Sequence, residues 1–287
     1  MRGGRQFLVT KGETMPPTKT KTTSNWLKNV RKGIAKRPPS MVIAGPAGVG
    51  KSSLAGNIPK SLVMPFGQED TWDLLKSSGS VPADLPVLRP ARTYSDMMEM
   101  IGEVTEEDHD YRFLVIDTIT CAERITHESV CNREFSGDWS DRGFLGFNRG
   151  YEVSLSDWRE FINALDRLRD ERDMGIVLLG HTKVAPYRNP VGADYDRFTV
   201  DLHHKTWSLT HRWCDAVLFY NYWIDVDESG LRAKGKGGHA RVLHTQHSAA
   251  FDAKNRFGLP PEIEGGDSGA EAWANLKSAI VEARREA

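Results

Sequence analysis

A chain of 287 residues with 39% hydrophobic and 27% charged side chains has the make-up of an ordinary soluble protein with room for a sizeable core. No apolar run approaches the roughly 18 residues that span a bilayer, so no membrane partner is expected and the cytoplasm is the expected location; the three cysteines show no metal or redox spacing and read as reduced, structural thiols. The net charge of -1 hides an uneven split, because residues 1–40 hold ten Lys or Arg against the single Glu13.

In chain order, residues 1–23 form a basic leader rich in Thr, Lys and Pro, a composition suited to touching phosphate or simply to solubility. Behind a Ser24 or Asn25 cap, Trp26, Leu27, Val30 and Ile34 recur at helical spacing and predict a short helix before Pro38-Pro39. "SMVIAG" reads as a buried strand ending at a glycine-rich turn, and "KSSLAGNI" as the opening of a helix. "KSLVMPF" is a second strand, followed by a loop containing Trp72, a strand at "LPVLRP", a helix over residues 94–104 and a strand at "YRFLVIDT". A helix over 156–170 places Trp158, Phe161, Ile162, Leu165 and Leu168 on one face, and the apolar strand "MGIVLLGH" follows. Residues 132–153 and 182–203 read as long loops, a kind that tends to be functional. Alternating strands and helices predict an α/β fold with a largely parallel sheet covered on both faces. "HRWCDAVLFYNYWIDV" and "LRAKGKGGHARVLHTQ" then predict an antiparallel extension, and Trp273, Leu276 and Ile280 a terminal helix. The expected organisation is a leader (1–23), a main α/β domain (24–264) and a C-terminal helix (265–287).

"GPAGVGKS" fits G-x-x-x-x-G-K-[ST] in the strand-to-helix context that this motif requires. Its glycines let backbone amides wrap a phosphate, while Lys51 reaches the terminal phosphates and the Ser52 hydroxyl can ligate magnesium. The nucleotide-binding residues are therefore expected to be Gly45, Pro46, Ala47, Gly48, Val49, Gly50, Lys51, Ser52 and Ser53, with ATP and Mg2+ as cofactors. A P-loop needs a carboxylate at a neighbouring strand end to hold the metal, and Asp117 follows four apolar residues in "FLVID". His181, at the end of "IVLLGH", is placed to sense the terminal phosphate. For the general base, Glu69 and Glu123 compete.

"AFDAKNRFGLPPE" resembles surface loop, yet Lys254 and Arg256 stand two apart on an extended segment and project to one side. Such a pair suits a phosphate in a neighbouring protomer, where an added cation can be worth about 10³ to 10⁵ in turnover. "KNRFG" matches the motif of that name in bacterial RadA and is similar to the Lys-x-Arg finger segment of DnaB-type helicases, both RecA-like ATPases. With "GPAGVGKSSLAGNIPKSLV", "FLVIDTIT", "IVLLGHTKV", "DYDRFTVDLHHK" and "CDAVLF", the chain looks like the phage and prophage AAA-domain ATP-binding proteins that include the Sak-class single-strand annealing proteins. The likeness covers about residues 24–264. It implies a RecA-like core, ATP hydrolysis, single-stranded DNA binding and a part in phage recombination in the host cytoplasm. It also implies a homo-oligomer, ring or filament, with nucleotide at the subunit interface. A single-strand DNA-binding protein is a further candidate partner. One departure is that "MPFGQED" stands where relatives carry an Asp-Thr-Glu-Gly-type stretch, which displaces Glu69.

Cations and aromatic rings mixed in the two long loops suit single-stranded nucleic acid, by phosphate attraction and base stacking. Arg133, Arg142 and Arg149 come from the first, with Trp139, Phe144 and Phe147. Lys183, Arg188 and Arg197 come from the second, with Tyr187 and Tyr195. A lid over nucleotide or a subunit contact would use the same residues, and "KGKGGHAR" is a further basic candidate. The alternatives to a recombination ATPase are a DnaB-like DNA motor or helicase loader, and an ATP-switched interaction protein with little turnover.

Overall fold

The structure is a computed structural model that describes residue 30 and residues 37–67, 71–227 and 234–286. The helix expected over 24–34 lies, apart from Val30, outside the described residues, and Arg37–Ala287 make up one compact unit.

Strand β1 (Ser40–Gly45) is buried along its whole length, as a central strand covered on both faces must be. Its alternate residues feed two cores: Val42 and Ala44 face one, Met41 and Ile43 the other. Parallel neighbours are β2 (Ser61–Pro65), β3 (Phe113–Asp117), β4 (Gly175–Tyr187) and β6 (Ala216–Asp227), and the strand order is β2-β3-β4-β1-β6. The antiparallel extension is present: β7 (Lys234–His244) pairs with β6, and the short β9 (Glu262–Glu264) with β7. Helices α3 (Tyr94–Glu106), α4 (Ile119–Phe135), α5 (Arg149–Arg172) and α6 (His204–Trp213) cover one face, where Met97, Ile125, Phe161 and Trp207 are buried together. On the other face lie α1 (Lys51–Gly56), α2 (Trp72–Ser77) and α7 (Gly269–Glu286), with Leu54, Trp72 and Leu276 in that core. The α/β fold with a mostly parallel sheet and a P-loop core is thus as the sequence predicts.

Local expectations need several corrections. "LPVLRP" is not a strand but holds one isolated bridge, Val63 to Val87, with a second, Phe66 to Ala91, just past it, because Pro86 and Pro90 bring no N–H to a ladder. Trp72 opens a helix rather than lying in a loop, and is buried. "HRW" closes α6, so β6 begins only at Ala216. The first long loop shrinks to residues 136–148, since α4 runs on to Phe135 and α5 starts at Arg149. Most of the second is an antiparallel hairpin: β4 continues past His181 to Tyr187 and pairs with β5 (Tyr195–Val200).

Helix rise places both of these segments. At 1.5 Å per residue the 24 residues of α5 span about 36 Å, against roughly 20 Å for the six residues of β1. Since α5 leads down to the start of β4, its beginning and the 136–148 loop overshoot the C-terminal edge of the sheet. The β4–β5 hairpin projects from that edge too.

Candidate nucleotide site

At the end of β1 the chain turns through residues 46–50 into α1. Gly48 (φ +79°) and Gly50 (φ +102°) occupy left-handed conformations that side chains rarely adopt, which accounts for glycine at both. Lys51 is buried and donates Nζ hydrogen bonds to the carbonyls of Gly45 and Pro46, each at 2.9 Å. The neighbouring Ser52 Oγ donates to Asp117 Oδ2 at 3.0 Å. Asp117 is the last residue of β3 and is joined by a cis peptide to Thr118, which caps α4 by accepting the Cys121 N–H.

Strand order brings these groups together. β4 lies between β1 and β3, with His181 beside Gly45 and Leu179 beside Asp117. The cleft of ≈ 630 Å³ at this strand end is lined by Gly48, Gly50, Lys51, Ser52, Asp117 and His181, joined by Ser53, Thr71, Leu75 and Thr118. Thr71, Leu75 and Thr118 escaped the sequence reading because nothing in their local pattern announces the cleft. A lysine ammonium, the amides of a glycine-rich turn and a hydroxyl–carboxylate pair suit a polyphosphate with a hard divalent cation.

The two candidate bases fare differently. Glu69 lies outside the described residues. Glu123 sits on α4 facing the start of α6: both its oxygens accept the His203 N–H at 3.0 Å. Burial pushes its carboxyl above the ordinary range, opposed by hydrogen bonds from Thr206 and His203. It belongs to a packed cluster in which His127 meets Phe144 and Tyr151, and Tyr151 stacks on His203.

Lys254 forms part of the two-residue strand β8 (Lys254–Asn255), paired with the start of β6. Its Nζ donates to the carbonyls of His211 (2.5 Å) and Cys214 (2.6 Å), closing the C-terminal end of α6, and burial holds the ammonium below the usual lysine range. Arg256 lies beside it, half exposed, 3.7 Å from Asp215, which also receives Arg169 and Ser40. Ala216 is level with Met41, so about 13 Å of β1 separates this pair from the phosphate loop of its own chain.

The six basic residues assigned to the long loops do not stand alike. Arg133 is on α4, and its guanidinium donates twice to the buried Asp157 of α5, at 2.8 and 3.1 Å. Arg197 is largely covered, 3.6 Å from Asp252 and over the Tyr187 ring. Lys183 pairs with Asp201 at 2.7 Å. Arg142, Arg149 and Arg188 are exposed at the projecting segments. Phe147 is fully exposed and held in the left-handed region (φ +49°), whereas Phe144, expected beside it as a stacking ring, is fully buried.

A phosphate loop at a strand–helix junction, facing a carboxylate on a strand one removed, defines a P-loop nucleoside triphosphatase core. The chain belongs to the AAA domain family, whose model matches residues 37–257. Among solved structures, the crystal structure of the RadB recombinase aligns at a TM-score of 0.43 and 12% identity, covering 81% of this chain and 90% of that one. Curated proteins yield no match.

Proposed function

We propose that this protein is a RecA-like ATPase that binds single-stranded DNA and assists recombination or annealing as a head-to-tail homo-oligomer. The observation that carries the ATPase reading is the 3.0 Å contact between Ser52 Oγ and Asp117 Oδ2 beside Lys51, a ready site for magnesium on a triphosphate. Magnesium bound there would withdraw charge from the phosphates, and Ser52 and Asp117 are the residues that would hold it. Lys51 exchanges its two carbonyl partners for phosphate oxygens, and His181 meets the terminal phosphate from the adjoining strand end. DNA then lies across the projecting 136–148 loop and the β4–β5 hairpin, against Arg142, Arg149 and Arg188, with Phe147 open to stacking. Arg133 and Arg197 serve the fold. Arg256, remote from its own phosphate loop, faces the nucleotide of the next protomer.

The test is ATP hydrolysis by the purified chain with and without single-stranded DNA, at two salt concentrations, with Lys51→Ala as control. Stimulation that weakens with salt, and loss of turnover in K51A, are the expected results. Tight ATP binding without DNA-dependent turnover would instead support a nucleotide-switched interaction protein.

A further inference from the structure

The phosphate loop is backed by a residue that no motif in the sequence assigns to it. Arg241, on β7 opposite Tyr222 of β6, donates from Nε (3.1 Å) and Nη2 (2.8 Å) to the carbonyl of Gly266, in the turn before α7. Its third nitrogen faces the phosphate loop: a methyl group built on Gly50 would lie 2.8 Å from Nη1. Two further contacts make the same connection, since Tyr222 Oη donates to the Gly48 carbonyl at 3.0 Å and a methyl on Gly269 would lie 2.3 Å from the Ser53 carbonyl. The turn itself is held from both sides, with the Gly265 N–H donating to the Arg241 carbonyl at 2.7 Å.

We propose that Arg241 is a positioning residue for the nucleotide site: pinned by Gly266, its guanidinium braces Gly50 and adds a fixed positive charge beside the anion cradle. The inference rests on the nucleotide reading above and extends it to the C-terminal segment. A planar fork suits the task, because two nitrogens can hold one carbonyl while the third is aimed elsewhere; a lysine ammonium cannot do both in a fixed geometry. A charge held in place before the ligand arrives needs no reorganisation on binding.

The test measures dissociation constants for ATP and for sodium tripolyphosphate on the full chain carrying R241M, R241Q, R241K or K51A. Neutral R241M and R241Q are expected to weaken both ligands alike, by about tenfold, the worth of one charge-assisted contact. Both should raise KM for ATP by more than they lower kcat, and the loss should shrink in concentrated salt. R241K is expected to recover part of the affinity through its charge. Two neutral variants are used so that one which fails to fold does not decide the matter. A folded neutral variant that binds tripolyphosphate within about twofold of the unaltered chain overturns the inference. If K51A loses the ligand while the Arg241 variants keep it, only the role of Arg241 fails; if K51A binds as tightly as the unaltered chain, the phosphate site itself is wrongly placed.

Discussion

His127 is buried among aromatic rings and displaced from its ordinary protonation. It packs against Phe144 and Tyr151, and burial, reinforced by the nearby His203, pushes its pKa down to about 4. The unfolded chain, with an ordinary histidine near 6.5, takes up a proton that the folded chain refuses between those two values. Stability is therefore complete above about pH 6.5 and falls as the solution is acidified towards pH 4, by about 2 kcal/mol between pH 7.5 and 5 from this one group. Urea denaturation at the two pH values should show the loss, and His127→Gln should flatten it. An unchanged pH dependence in the variant would assign the acid sensitivity elsewhere.

Among the elements, α4 and α5 pack together and are joined by the 136–148 loop, with Arg133 clamped on the buried Asp157. Arg133→Ala leaves that carboxylate without its guanidinium and should cost about 1–2 kcal/mol of stability while sparing DNA affinity. Arg142→Ala should do the reverse, weakening DNA binding and its salt dependence with little effect on melting. Lys254→Met removes the cation that closes α6 and should lower stability by about 1 kcal/mol, read by urea denaturation. The phosphate loop and Asp117 are legible in the sequence because each sits at the end of an apolar run, with its chemistry inside one contiguous motif. The hairpin is not: β4 passes from a covered sheet into an exposed ribbon partway along, so one strand carries two hydrophobic patterns. Nor is the start of α5, where Phe147 takes a left-handed conformation that a bulky aromatic residue rarely adopts, beside Asn148, which tolerates it. Arg241 and Gly50 are nearly two hundred positions apart in the chain, and only the pairing of β6 with β7 brings them together.

For the whole molecule, Lys254 and Arg256 lie at the opposite end of β1 from the phosphate loop, so the chain has two unlike ends. In the proposed homo-oligomer, where Arg256 acts across an interface, complementation is expected: K51A and R256A, each deficient alone, should regain turnover when mixed. With random assembly, about a quarter of the interfaces then join an intact phosphate loop to an intact arginine. Absence of recovery in a mixture shown to co-assemble would remove Arg256 from the reaction. The same two-faced subunit has a kinetic consequence if it builds an open filament rather than a ring. One terminal subunit then holds nucleotide with no neighbour's arginine against it, while the subunit at the other end offers an arginine to solvent. The nucleotide clock would run slowly at the first end and at full speed in the interior, so growth and loss would proceed at different rates at the two tips.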